Sequence, residues 1–304
     1  MVRVAESWRV VFSSRETLSR VRQDLRATAV LAPAQFLLQS IFSVLFPSDC
    51  RLCRTPLHNI STLPVCAECL AEIRPTRAPQ CILCGDRLAA AQLLMGDGRC
   101  PNCRDCPPEF DRAISFAEYK DGLRGIVHLL KYDRVTPVAT VLGGMAAQAI
   151  GELLPGCRQA VPVLVPVPLH RSRRRLRGFN QAELLARAAA KRLPQKPEVL
   201  CDVLVRQRDT VSQVGLNREE RVANVRDAFR VAAAGRVEGR AVILVDDVMT
   251  TGTTLSECAR VLKQAGAQRV WAVTVARAFD GASLGPIPNP GEEEGIEEAT
   301  AASV

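Results

Sequence analysis

The most regular pattern of apolar and polar positions in the chain lies at residues 242–254. Its first four residues, 242–245, are apolar and have the length and β-branched content of a strand buried on both faces. Two acids follow, where we expect the chain to leave the sheet, and then a loop rich in threonine and glycine. Apolar residues at helical spacing predict a helix that begins near Thr254 and ends before Gly266. The pattern therefore predicts a strand, an acidic turn and a helix in succession.

The polar residues of this stretch suit a ligand that carries both hydroxyl groups and a phosphate. Carboxylates accept hydrogen bonds from vicinal hydroxyls and favour a bound Mg²⁺. A glycine allows close backbone approach, and the free N–H groups at a helix start attract a phosphate. An ordinary acidic turn after a buried strand is the alternative interpretation. The candidate ligand-binding residues are Asp246, Asp247, Thr250, Thr251, Gly252, Thr253 and Thr254.

Strand-like and helix-like segments alternate over the carboxyl-terminal two thirds of the chain. Apolar runs predict strands at 113–119, 163–167, 203–205 and 269–277, with amphipathic helices between them. Such alternation is typical of an α/β fold. The sequence after 203–205 is polar, which favours a mobile loop that could close over a site.

A cluster of arginines follows the predicted strand at 163–167 and leads into a predicted helix. Five arginines within seven residues at such a place predict an anion-binding loop. Pyrophosphate and a polynucleotide backbone are the two candidate ligands of this loop. The alternative is a solvated run of charge that binds no ligand. The candidate contacts for pyrophosphate or DNA are Lys131, Arg171, Arg173, Arg174, Arg175 and Arg177.

Eight of the twelve cysteines form four Cys-x2-Cys pairs. Each pair places two thiolates on one side of a tight turn, so two pairs complete a tetrahedral zinc site. Pairing in sequence order predicts two structural zinc ions; crossed pairing, one lost site and redox dithiols are the alternatives. Cys106 is an additional thiol that could compete with Cys103 as a metal ligand. The candidate ligands are Cys50, Cys53, Cys66, Cys69, Cys81, Cys84, Cys100 and Cys103.

Composition adds a strong positive charge. The net charge is +8 and the mean hydropathy +0.04; residues 279–304 contain six acids and no base, so residues 1–278 carry +14. A basic body attracts polyanions such as nucleotides or nucleic acid. Metal-type cysteine pairs predict a reducing, cytoplasmic compartment. The apolar run at 27–46 is interrupted by proline and glutamine, so no membrane insertion is expected.

These observations predict four segments. Residues 1–47 form an N-terminal extension with a short helix, and residues 48–108 a double zinc ribbon. Residues 109–278 form the α/β domain, and residues 279–304 a disordered acidic tail.

Several separated stretches resemble a known family. The segment at 245–254, VDDVMTTGTT, resembles the motif by which type I phosphoribosyltransferases bind phosphoribosyl pyrophosphate (PRPP). Together with the cysteine pairs, the stretches at 129–134, 165–187 and 208–229 resemble the ComF family, in which a double zinc ribbon is fused to a type I phosphoribosyltransferase-like domain. The resemblance covers about residues 42–277. Asp133-Arg134 and Cys106 depart from the family pattern.

The resemblance implies a central parallel sheet flanked by helices, PRPP with Mg²⁺ at its carboxyl edge, and a mobile loop near 207–224. It also implies a link to natural transformation, with single-stranded DNA and the DNA-uptake machinery as partners. One hypothesis is an enzyme that transfers the pentosyl group of PRPP, in nucleotide metabolism or DNA uptake. The other is a non-catalytic competence protein that binds single-stranded DNA, for which PRPP is a regulatory or vestigial ligand. No residue stands out as a catalytic base, and the acceptor and the oligomeric state are not specified.

Overall fold

The structure, a computed structural model, divides the chain into two compact units, Met1–Cys69 and Leu70–Val304. The N-terminal extension predicted at 1–47 and nearly all of the predicted tail lie outside the described residues. The domain boundaries drawn from the sequence stay predictions. The described residues are 48–57, 62–94, 96–154, 161–210 and 218–279.

The described strands and helices alternate along the second unit. The strands are β1 (Arg112–Glu118), β2 (Val163–Pro166), β3 (Leu204–Arg206), β4 (Phe229–Val231), β5 (Ala241–Met249) and β6 (Arg269–Arg277). The helices are α1 (Ala67–Glu72), α2 (Ala90–Leu94), α3 (Pro101–Asp105), α4 (Asp121–Lys131), α5 (Val138–Leu153), α6 (Arg171–Arg177), α7 (Gln181–Arg192), α8 (Arg218–Val225) and α9 (Thr253–Gln264).

Four strands form one parallel sheet in the order β1-β6-β5-β2. The two central strands, β5 and β6, are apolar and almost wholly buried, as expected for a parallel sheet with both faces covered. β3 and β4 form a separate antiparallel pair. The predicted α/β fold with a central parallel sheet is confirmed. All four strands of the sheet end at one edge, where the acids near the end of β5, the threonines and glycine after β5 and the arginines after β2 lie.

Three expectations about local structure need correction. β5 does not end at the acids, because Asp246 and Val248 pair with Thr274 and Ala276 of the equally long β6. The arginine stretch is the helix α6, not a loop. It begins after His170, whose ring accepts from the Ser172 N–H, and ends at Gly178, where φ is +83°. Within the loop predicted near 207–224, α8 begins at Arg218, and residues 211–217 lie outside the described residues.

The helix after β5 forms as the periodicity predicts. Leu255, Cys258, Ala259 and Leu262 are buried along one face of α9. Gly266 follows the end of the helix with φ of +89°, a left-handed conformation that suits glycine. Among the described residues, no helix is long and apolar enough to cross a membrane.

The second group of cysteines, Cys81, Cys84, Cys100 and Cys103, lies in the core of the second unit. Its four buried sulfurs share one hydrophobic cluster with Phe110, Met249 and Leu255. The chain that leads from the cysteines to β1 is also tied to α9, because the Glu109 N–H donates to Ser256 Oγ at 2.9 Å. This packing places the cysteine group beside the loop that follows β5.

Candidate functional site

The two acids lie side by side near the carboxyl end of β5. Asp247 is 7% exposed and its Oδ1 lies 2.8 Å from Lys131 Nζ, at the end of α4. Asp246 is half-buried, and its Oδ1 accepts from the Asp247 N–H at 2.8 Å. The sequence predicts Lys131 as a contact for pyrophosphate or DNA. In the structure it forms an ion pair with Asp247, an acid of the site.

The two carboxyl groups differ in electrostatic environment. Burial, and then the neighbouring Asp247, raise the pKa of Asp246 to about 7. Burial acts to lower the pKa of Lys131, but the charge of Asp247 and its hydrogen bond leave that pKa raised. Lys131 and Asp247 therefore form an ion pair, and Asp246 beside them is an acid that readily holds a proton.

The loop of residues 250–254, called the Thr/Gly loop below, joins these acids to α9. Gly252 has φ of +79° and directly precedes the helix, which begins at Thr253. Thr251 Oγ1 and Thr253 Oγ1 are 3.2 Å apart. A small cavity of about 40 Å³ lies between Asp246 and the loop, lined by Asp246, Val248, Met249, Thr250, Gly252, Thr253, Thr254 and Leu255. The start of α9 thus lies beside Asp246.

The arginines of α6 lie at the same edge of the sheet, after β2. Arg171, Arg174 and Arg175 are exposed, whereas Arg173 and Arg177 are partly buried. Arg173 Nη2 donates to the carbonyl oxygen of Thr210 at 2.9 Å, and the Arg177 guanidinium lies 5.7 Å from the centre of the Tyr132 ring. The helix therefore presents exposed charge on one side and holds Arg173 inward.

Sequence reasoning named Arg206 only as part of a polar segment. In the structure it is 8% exposed and donates to Thr210 Oγ1, so Thr210 holds the guanidinium groups of both Arg173 and Arg206. Burial, and then the charge of Arg173, lower the pKa of Arg206, while Asp246 acts to raise it. Two adjacent cations near Asp246 make a place for a multiply charged anion. The polar character of the segment after residue 205 was the signal in the sequence, and it gave no indication of this pairing.

The cysteines gather in the predicted sequence order. One group joins Cys50 and Cys53 with Cys66 and Cys69, and the other joins the pairs between 81 and 103; in each, the sulfurs lie within 4.8 Å of one another. Sulfur–sulfur distances are 3.9 Å for Cys50 and Cys69, 3.6 Å for Cys53 and Cys66, and 3.6 Å for Cys84 and Cys100.

These distances test whether a metal fits. Four sulfurs at about 2.3 Å from a tetrahedral zinc ion are about 3.8 Å apart, close to the spacing in both groups. The turns are alike: Arg54 and Gly85, each after the second cysteine of a pair, have φ of +66° and +71°. Both groups can therefore hold a metal ion. Cys106 is exposed and belongs to neither group.

Comparison with known proteins agrees with this geometry. The family model for the phosphoribosyl transferase domain matches residues 180–286. The DNA utilization protein YhgH of Salmonella typhimurium is 35% identical over 74% of this chain and 94% of its own length. Competence protein F of Haemophilus influenzae is 30% identical over 77% of this chain and 98% of its own length. A glutamine PRPP amidotransferase structure from B. subtilis, 24% identical over 46% of this chain and 26% of its own, aligns with a TM-score of 0.30, too low to carry an argument.

A parallel sheet with two acids and a Thr/Gly loop at its carboxyl edge defines a phosphoribosyltransferase-like domain. The chain belongs to the ComF/YhgH family. Two members of this family, the relatives named above, match it over nearly their whole length.

Proposed function

We propose that this protein binds PRPP at the carboxyl edge of its sheet and acts as a phosphoribosyltransferase-like protein. The observation that carries the proposal is the juxtaposition of Asp246 and Asp247 with the Thr/Gly loop and the start of α9. The carboxylates accept hydrogen bonds from the vicinal ribose hydroxyls. The loop and the helix start hold the 5′-phosphate through N–H groups, threonine hydroxyls and the helix dipole.

The pyrophosphate of PRPP then lies toward β2, where cations are concentrated. Arg173 and Arg206, which share Thr210, are best placed to hold it, because both are fixed by hydrogen bonds before the ligand arrives. The exposed arginines of α6 add positive charge nearby. Mg²⁺, when bound with PRPP, neutralises part of the charge of the pyrophosphate.

Transfer would break the bond between C1 of the ribose and the pyrophosphate oxygen. The pyrophosphate leaves with the electron pair, positive charge develops at C1 and the ring oxygen, and a nucleophile forms a bond to C1 and loses its proton. The contribution of the protein is mainly to position the ribose and to stabilise the charges on both sides of the breaking bond. We assign no side chain as the base.

The assignment of PRPP is tested with Asp246→Asn. Removing a charged acceptor of the ribose hydroxyls should weaken PRPP binding about 10- to 100-fold in calorimetry with Mg²⁺ at pH 8. Asp247→Asn should have a similar effect, but it leaves Lys131 buried without its partner, so its fold must be checked. Glu152→Gln, an exposed change on α5, is the matched control. Wild-type affinity in Asp246→Asn would refute the site.

Catalysis is tested separately from binding. Wild-type protein incubated with PRPP, Mg²⁺ and a panel of nucleobases and amines should release pyrophosphate with one class of acceptor. PRPP binding without release in any mixture would favour the regulatory ligand of the second hypothesis.

We further propose that both four-cysteine groups hold zinc, as structural ions in a reducing, cytoplasmic compartment. The free thiols and the sulfur spacing support this. Metal analysis of the purified protein should give about two zinc ions per chain. A metal-free, folded protein would contradict the proposal.

A second candidate function is the binding of single-stranded DNA. The three exposed arginines of α6 support it, and so do the names of the relatives, a DNA utilization protein and a competence protein. A role in the use or uptake of DNA is compatible with PRPP binding, because the exposed side of α6 and the inward Arg173 are different surfaces.

A further inference from the structure

Arg277 stands at the junction between the second four-cysteine group and the Thr/Gly loop. It is the last residue of β6 and pairs with Met249, the last residue of β5. Its side chain is only 4% exposed. Arg277 Nη2 lies 3.8 Å from Cys84 Sγ and 3.7 Å from Asp86 Oδ1. The guanidinium therefore faces the metal-binding group, although its backbone belongs to the edge of the sheet that holds the candidate site.

The charge of this guanidinium is only partly matched by its protein neighbours, since its ion pair with Asp86 is long, at 3.7 Å. Its Nε and Nη1 are buried and have no hydrogen-bond partner among the described residues. An arginine stays protonated in proteins, and a buried cation whose N–H groups are only partly satisfied is costly. Four thiolates around a divalent zinc ion carry a net charge of about −2, which would add to the counter-charge that Asp86 supplies at this position. The residues present thus suit a charged metal centre better than four neutral thiols.

The same residues reach the Thr/Gly loop through Met249. The Ala278 N–H donates to the Met249 carbonyl oxygen at 2.9 Å, next to Arg277 in the chain. A Cβ atom at Gly252 would lie 2.6 Å from Met249 Cε and 3.6 Å from the Phe110 ring, so both side chains pack closely against the loop. A displacement of the end of β6 would therefore shift Met249 and change the packing at Gly252, where the loop meets α9.

We propose that Arg277 is a positioning residue that couples the metal ion of the second four-cysteine group to the Thr/Gly loop. The inference rests on the proposed binding of PRPP and zinc. With zinc bound, the thiolate charge holds the guanidinium, and with it the ends of β6 and β5, in the geometry that receives the 5′-phosphate. Without the ion, the buried cation loses the counter-charge of the thiolates, and the loop loses its support.

The test uses the full-length, zinc-loaded protein and two readouts: zinc release to a colorimetric chelator and PRPP affinity by calorimetry. Arg277→Met keeps the aliphatic stem and removes the charge. It should speed the release of one of the two zinc ions about 10- to 100-fold, the range seen when a residue that orients a metal ligand is lost, and should also weaken PRPP binding. Arg277→Lys should restore both properties in part. Arg269→Gln, an exposed charge change at the other end of β6, should match wild type.

The outcomes separate the alternatives. Weaker PRPP binding with unchanged zinc release would mean that Arg277 acts on the ligand directly, and faster zinc release with unchanged PRPP binding would mean that the two sites are independent; either result overturns the coupling. If Arg277→Met does not fold, zinc is withdrawn stepwise from wild type, and PRPP affinity should fall with one ion and not with the other. If fully zinc-loaded wild type does not bind PRPP, the proposed function fails and the coupling with it, while zinc release in Arg277→Lys still decides whether Arg277 supports the metal.

Discussion

The fold opposes the ionisation of Asp246. Asp246 is half-buried beside Asp247, and the Lys131 ammonium that could offset its charge bonds to Asp247 instead. Its pKa of about 7 lies above the ordinary value of 3.8 for an aspartate. The folded protein therefore holds a proton on Asp246 between about pH 4 and pH 7 that the unfolded chain releases, so in this range the stability contributed by the group falls as pH rises.

Replacing Asp246 by asparagine should remove this dependence. We expect Asp246→Asn and wild type to have similar free energies of unfolding near pH 4, and the variant to be more stable by on the order of 2–4 kcal/mol at pH 8, since each unit of pKa shift corresponds to about 1.4 kcal/mol. Denaturant titrations at several pH values measure the difference. Glu152→Gln should follow the wild-type profile. Parallel profiles for Asp246→Asn and wild type would show that Asp246 titrates normally.

The packing of α5 against α7 shows how one glycine sets the distance between two elements. A Cβ atom at Gly143 in α5 would lie 2.3 Å from Ala188 Cβ in α7. Because α7 follows the arginine helix and α5 follows α4 with Lys131, this interface holds two sides of the candidate site. Gly151, on the same helix, has nothing within 4 Å of the position of a Cβ atom.

The two glycines should therefore respond oppositely to alanine. Gly143→Ala forces the helices apart and should lower the free energy of unfolding by about 1–3 kcal/mol. Gly151→Ala relieves only the poor helix propensity of glycine and should raise it by about 0.5–1 kcal/mol. Thermal unfolding of both variants provides the measurement. Equal shifts of one sign would mean that the close α5–α7 contact does not limit the packing.

At the scale of the whole molecule, exposed arginines lie at both edges of the sheet. Arg171, Arg174 and Arg175 lie on α6 after β2, at the carboxyl edge, whereas Arg112 and Arg269 begin β1 and β6 at the opposite edge. A polyanion that binds through the site region should depend on the first set and not on an equal number of exposed arginines away from the site, although the net charge then changes equally.

We expect the triple glutamine variant of Arg171, Arg174 and Arg175 to bind single-stranded DNA more weakly and with a smaller dependence on salt. Each lost phosphate contact lowers the slope of log K against log salt by about 0.7, so three contacts account for about 2. The control is the triple glutamine variant of Arg112, Arg230 and Arg269, all exposed. DNA titrations at several salt concentrations distinguish them. If both variants lose affinity equally, general charge and not α6 attracts the DNA.

Much of the candidate site is readable from the chain, because its chemistry is local. The apolar run at 242–245, the adjacent acids and the Thr/Gly loop are consecutive in sequence, and buried strands and helix starts have patterns that do not depend on distant partners. The same holds for the cysteines, since each Cys-x2-Cys turn brings its own two sulfurs together and sequential pairing needs only one further contact per group.

What the chain order left open depends on residues that are far apart. The length of β5 depends on pairing with β6, so the acids lie within a strand and not after it. Lys131 meets Asp247, Thr210 holds both Arg173 and Arg206, and Arg277 meets Cys84 across 193 positions. Long-range packing and charge, which no local pattern encodes, thus determine how the acidic pair, the arginines and the second cysteine group share one edge of the sheet.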